Sequence, residues 1–237
     1  MKVPFIIILI LTSFVLKAQK QVVYLIPGQG SDKRLYKNLV LDPVVEIRHI
    51  QYFIPEKGET MQGFARKLSA QIDTTQSYSI IGVSLGGMLA TEMADFLHPE
   101  KVVIISSAKN RKEFPFRYRF QKTIPIYKVV PARIDKMGAQ ILQPFVEPDR
   151  AKEKETFKAM LHDKDPMFLK RTIQMILKWN RLEYNPKIIH IHGDNDHTIP
   201  ARNVTCDFLV EDGSHMMVLT QSELISDILN YILREKK

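Results

Sequence analysis

Gly82-Val83-Ser84-Leu85-Gly86-Gly87 sets a serine between glycines. It directly follows the apolar run Tyr78–Val83 and directly precedes a Leu-, Ala- and Met-rich stretch from Leu85 to about Leu97. A strand that turns sharply into a helix at a serine exposes the hydroxyl, and glycines two residues either side let strand and helix approach closely. The helix N-terminus turns backbone N–H groups toward negative charge that develops there. Such a serine attacks a carbonyl carbon if a base takes its proton, and the base needs a carboxylate to hold its tautomer and stabilise the imidazolium. Two later segments supply these types. His192-Gly193-Asp194-Asn195-Asp196-His197 follows the run Ile188–Ile191, and Asp212-Gly213-Ser214-His215-Met216 follows Val204–Val210. The alternative for Ser84 is a plain Gly-Ser loop, and the strand–helix setting argues against it.

The elements that must position these residues alternate along the chain. Short apolar, β-branched runs at Val22–Ile26, Val44–Ile50, Tyr78–Val83, Val102–Ile105, Ile188–Ile191 and Val204–Val210 alternate with helical stretches, the last from about Ser222 to Leu233. This pattern predicts a mostly parallel sheet with helices on both faces. Between Ser107 and about Asn185 lie six prolines and two amphipathic stretches, Ala151–Leu161 and Phe168–Trp179. So long a segment is no bare loop. It reads as a helical cap, residues 107–185, inserted before the acid-bearing strand and lying over the end of the sheet where ligands bind in α/β proteins. The core is then 19–106 with 186–237.

Residues 1–18 read as a signal peptide: Met1-Lys2, an apolar run from Val3 to Leu16, then Lys17-Ala18. The run is shorter than the roughly 20 residues of a spanning helix, although an uncleaved anchor is the alternative. Cleavage near Ala18 predicts export to the periplasm or beyond. The single cysteine, Cys206, excludes a disulfide framework and a multi-cysteine zinc site.

Across nearly all of the mature sequence, the three segments and their order resemble an α/β-hydrolase. In that family the loop after the first strand carries His-Gly or a variant; here it is Ile26-Pro27-Gly28-Gln29-Gly30-Ser31. The resemblance implies a Ser84, Asp196, His215 triad and an oxyanion hole made by the backbone N–H groups of Gln29 and Leu85. The family's H-G-x-x-D pattern matches His192, Gly193 and Asp196, which favours Asp196 over Asp194. The segment Gly213–Leu219 is similar to the plant methylesterase and hydroxynitrile lyase branch. Lyases there carry lysine after the histidine, and Met216 favours ester hydrolysis. The implied function is a serine hydrolase of carboxylic esters that needs no cofactor and no metal. A thioesterase or other acyl hydrolase on the same triad, a cyanohydrin lyase, or a non-catalytic binding protein on this fold are the alternatives.

The remaining candidates read as structural. His197 is the rival base, but it adjoins Asp196 and adjacent loop residues rarely face one point. His192 orders its loop; His49 and His190 lie in strands, His98 caps a helix end and His162 belongs to the cap. Asp194, Asp196, His192 and His197 fit no common zinc spacing. Phe114, Phe116, Tyr118, Phe120, Tyr127 and Trp179 read as packing more than as pocket residues, and Asp32 with Arg34 as a helix start and a surface charge.

The chain of 237 residues has a formal charge of +8. Export would remove Lys2 and Lys17, and residues 107–185 hold 18 basic and 9 acidic residues, so the excess belongs to the cap. A solvated face is the plain reading; attraction of anionic substrates or of an anionic membrane surface is the functional one. A small-molecule ester is the expected partner, and nucleic acid the least expected.

Overall fold

The computed structural model describes residues 21–116, 118, 131 and 149–235. The expected signal peptide at 1–18 and most of the middle of the expected cap, with Phe120 and Tyr127, lie outside the described residues.

Six strands form one sheet among the described residues: β1 (Gln21–Ile26), β2 (Val45–His49), β3 (Tyr78–Val83), β4 (Val102–Ile105), β5 (Ile189–Gly193) and β6 (Phe208–Val210). Their order is β2-β1-β3-β4-β5-β6 and every pairing is parallel. β3 and β4 are buried at every residue, which explains why they are mainly apolar and, Ser79 apart, show no polar alternation: both faces are covered.

The two covers are distinct. Val22, Tyr24, Ile26, Ile80 and Ile104 point into a core shared with α1 (Met61–Ser69) and α2 (Leu85–Met93). Val23, Leu25, Ile81, Val83 and Ile105 point the other way, into a core shared with α5 (Met217–Thr220) and α6 (Ser222–Arg234). Between β4 and β5 lie α3 (Lys154–Asp163) and α4 (Pro166–Lys178). Asp165 caps α4, accepting from Met167 N (2.6 Å) and Phe168 N (3.1 Å), and Pro166 supplies the preset first turn. Both helices bury apolar residues in the cores of the body.

The last strand is shorter than the sequence suggests. Val204 closes a 3-10 turn, its N–H donating to Ala201 O, and the sheet is rejoined only at Asp207, whose N–H reaches His190 O at 2.8 Å. The apolar run Val204–Val210 therefore contributes only Phe208–Val210 to pairing.

The strand order fixes where a ligand can sit. The chain leaves β1 toward β2 on one side and returns to β3 on the other, so the loops after β1 and β3 diverge and leave a crevice. Ile26 pairs with Gly82, which brings the loop at residues 27–31 beside Ser84.

Candidate active site

Ser84 has φ 53° and ψ −116°, a backbone state that an L-residue adopts only under local constraint. The constraint is packing. A Cβ on Gly82 would stand 2.2 Å from Gly86 O, and one on Gly86 would stand 2.1 Å from Ile26 O. Strand, turn and helix touch backbone to backbone, so the glycines at both positions are required by space.

The side chains expected from the sequence meet. Ser84 Oγ lies 2.9 Å from His215 Nε2, and His215 Nδ1 lies 2.8 Å from Asp196 Oδ2. Asp196 Oδ1 accepts the N–H groups of Thr198 and Ile199, each at 2.8 Å. Burial pushes the Asp196 carboxyl up, but His215, His192 and the Ile199 N–H together hold it below the usual carboxylate range. An ionised Asp196 accepts only, so His215 carries its proton on Nδ1 and turns a lone pair toward Ser84.

The acid and base loops meet because β5 and β6 are neighbours. Asn195 N donates to Gly213 O at 3.1 Å, and a Cβ on Gly193 would stand 2.0 Å from that same oxygen. A Gly193→Ala chain is expected to lose about 3 kcal/mol of stability or more, because two backbones must part. Urea unfolding measures this, and a midpoint equal to the parent's would show that the loops can separate freely.

Asp194 and His197 are exposed, whereas Asp196 and His192 are buried, so the four residues of the loop do not converge. Among the described residues no group of three or more His, Cys, Asp or Glu is placed to hold a metal. Leu85 follows Ser84 as the first residue of α2, and Gln29 lines the same cavity as Ser84. Asp32 does cap the 3-10 turn Lys33–Tyr36, and Arg34 pairs with it at 2.6 Å and with Asp163 of α3 at 2.8 Å.

Behind Asp196 lies a histidine pair whose contact the sequence does not announce. His190 and His192 are both fully buried, with His190 Nε2 3.1 Å from His192 Nδ1. His192 Nε2 reaches Ile199 O at 2.8 Å, and His190 Nδ1 reaches Thr205 O at 3.3 Å. Burial drives both imidazoles below the ordinary value of 6.5, His190 strongly, with His192's nearness adding to the effect. The sign follows: folded pKa values below the unfolded ones make the unfolded chain bind more protons once the pH drops under about 6.5. Each group then removes up to about 1.4 kcal/mol of stability per pH unit. We expect the urea midpoint to fall steeply from pH 7 to pH 5.5 and His190→Gln to flatten part of that slope. A midpoint constant across the range would contradict it.

One cavity of about 210 Å³ opens onto Ser84 and His215. Its apolar walls include Met88, Phe114, Phe157, Met160, Leu161 and Ile176. Sequence reasoning missed most of these, since apolar residues at helical spacing carry no mark of whether they face a core or a cavity. Phe114 and Tyr118 line the cavity, Trp179 packs beneath Phe114 with its Nε1 donating to buried Glu92 at 2.7 Å, and Phe116 is exposed. Trp179 matches the packing role expected of it; Phe114 and Tyr118 do both.

A model of the uncharacterised protein family UPF0227 matches residues 30–114, which include the Ser84 turn but neither the acid nor the base loop. No curated protein sequence matches the chain. Among solved structures it is similar to the enol-lactonase from Burkholderia xenovorans, with a TM-score of 0.69 and 14% identity over 91% of this chain and 92% of that one. MenH from S. aureus follows at 0.67 and 15%, covering 91% and 94%. A thermophilic esterase from Thermogutta terrifontis gives 0.59 and 15%, covering 90% and 89%. With the parallel sheet, the strained serine turn after β3 and the two loops that meet beyond β5 and β6, these likenesses establish that the chain has the α/β-hydrolase fold.

Proposed function

We propose that the protein is a serine hydrolase of carboxylic esters. The observation that carries this reading is the hydrogen-bonded line Ser84–His215–Asp196, with the serine at the N-terminus of α2 on a strained turn. His215 takes the Ser84 proton as Oγ attacks the carbonyl carbon, then gives it to the leaving alcohol. Asp196 holds the imidazole and stabilises the imidazolium. The Gln29 and Leu85 N–H groups receive the oxyanion, each well-placed donor contributing about 3 kcal/mol. Water then attacks the acyl-enzyme with His215 again as base. The reading assigns residues 107–185 to a lid, of which α3 and α4 form walls of the cavity.

The cavity narrows the substrate class. At about 210 Å³ it is below the roughly 300–1,000 Å³ of sites for drug-sized ligands, and its described walls are mainly apolar. A short, uncharged ester suits it. Two of the structural neighbours are named an esterase and an enol-lactonase, which supports ester chemistry. Met216, directly after the base, also lies on the cavity and offers no cation to a cyanide leaving group.

A fluorophosphonate probe tests the mechanism without knowledge of the natural substrate. It is expected to label Ser84, located by peptide mass spectrometry, while short aryl esters are hydrolysed. A folded protein that neither labels nor hydrolyses would overturn the proposal and favour a non-catalytic binding protein.

A further inference from the structure

Gln29 does more in this structure than present a backbone N–H. Its side-chain Nε2 donates to Leu169 O at 2.9 Å and to Thr172 Oγ1 at 2.8 Å, both on α4. Thr172 is fully buried and its own hydroxyl proton is directed back at Phe168 O (2.8 Å) or Leu169 O (3.1 Å), which leaves an oxygen lone pair facing Gln29. Both amide hydrogens of Gln29 are thus engaged by one face of one helix.

The amide adds a second hold on the loop, whose turn is closed by the N–H and Oγ of Ser31, both donating to Gly28 O at 3.2 Å. Gln29 stands between Gly28 and Gly30, residues that give the backbone little stiffness. A Cβ on Gly30 would meet nothing nearer than Leu161 Cδ1 at 3.7 Å, so space leaves the chain loose at Gly30, whereas one on Gly28 would stand 3.3 Å from Ser31 Oγ and 3.4 Å from Ser84 Cβ. Upstream, Tyr52 Oη donates to Pro27 O at 2.6 Å, and the Tyr52 ring lies 5.1 Å from that of Phe168. Phe168, Leu169 and Thr172 of α4 therefore reach the loop by two routes. One turn beyond Thr172 on the same helix, Ile176 lines the cavity over Ser84.

We infer that the Gln29 side chain is a positioning group that couples the seat of α4 to the oxyanion donor on its own backbone. The inference rests on the esterase reading above. A substrate group that packs on Ile176 loads the helix that holds Gln29, so a well-fitting group steadies the donor. Its fit then appears in kcat more than in KM, because the oxyanion exists only after attack.

The test uses the full chain, a short aryl ester, and the second-order rate at which a fluorophosphonate labels Ser84. Gln29→Ala keeps the backbone N–H and removes the amide. It should lower kcat and the labelling rate by about 10- to 100-fold with KM within about 3-fold, less than or equal to the loss of a whole donor. Thr172→Val keeps the shape and removes the acceptor; it should lower the same two rates by about 3- to 10-fold, and Thr172→Ser should restore them. Combining Gln29→Ala with Thr172→Val should cost no more than Gln29→Ala alone, because both cut one linkage. Additive losses, a change confined to KM, or unaltered rates in folded variants would overturn the coupling. If Gln29→Ala fails to fold, the Thr172 pair decides it alone. A wild type that labels, with variants labelling equally fast, removes this inference only; a wild type that does not label removes the esterase reading itself.

Discussion

Replacing Ser84 with alanine is expected to slow hydrolysis of a short aryl ester by about 10⁴-fold or more while the chain still folds. On the esterase reading the chemistry loses its nucleophile, and His215 Nε2 loses the hydroxyl 2.9 Å from it. The fold loses little. Alanine at φ 53° meets the same backbone strain as serine, since both carry a Cβ, and the Gly82–Gly86 contact does not involve the side chain. Ser84 makes no side-chain capping bond to α2, so none is forfeited. The melting temperature should therefore move by only a few degrees, which separates loss of chemistry from loss of structure. On the proposed assignment, the residual rate would come from the Gln29 and Leu85 N–H groups acting on water in place of the serine. Parent-like turnover by the purified alanine variant would place the nucleophile elsewhere.

What was legible in the sequence was whatever the backbone geometry forces on residue type. β3 and β4 were readable to the residue, because strands buried on both faces are mainly apolar, buried Ser79 apart, and each runs on until a serine, Ser84 and Ser106. Gly82 and Gly86 were readable because no other residue fits a contact near 2 Å. That Ser84, Asp196 and His215 meet could be read from chain order and from strand-end placement. Less came through where side chains could serve several surroundings. Val204–Val210 looks like one strand, yet Val204 closes the 3-10 turn at Ala201–Asn203 and only Phe208–Val210 is strand. His190 and His192 stand two apart in a strand and so should share one face, but no local pattern reports that they bond to each other or that His192 reaches Ile199 O. The Gln29 amide reaches Leu169 and Thr172 across about 140 residues of chain, and no local pattern reports such a contact. The charge of the expected cap is likewise visible only as a sum in the sequence. In the structure part of it is tied to the body, Arg181 to Asp95 at 2.6 Å, while Glu153 and Asp163 of the same segment take Lys37 and Arg34.

The choice between the two carboxylates of the acid loop yields the second large effect. Asp196→Asn is expected to lower kcat by about 10³- to 10⁴-fold, and Asp194→Asn by less than about 3-fold. The reason lies in the hydrogen bonds around Asp196. Its Oδ1 accepts two backbone N–H groups, from Thr198 and Ile199. An asparagine must keep its carbonyl oxygen there, because an amide NH₂ facing two N–H donors would leave all of them unpaired and buried. Its NH₂ then occupies the position of Oδ2 and points at His215 Nδ1. As a donor it forces His215 to accept at Nδ1 and to carry its proton on Nε2, toward Ser84. That tautomer cannot take the serine's proton. Asp194 is exposed, and its backbone N–H, not its carboxylate, makes the contact with Val210 O that holds the turn, so its amide costs little. The fluorophosphonate labelling rate should fall with kcat in the Asp196 variant, since both need the same proton transfer. Equal losses in the two variants, or the larger loss at Asp194, would mean that the base is held from another side.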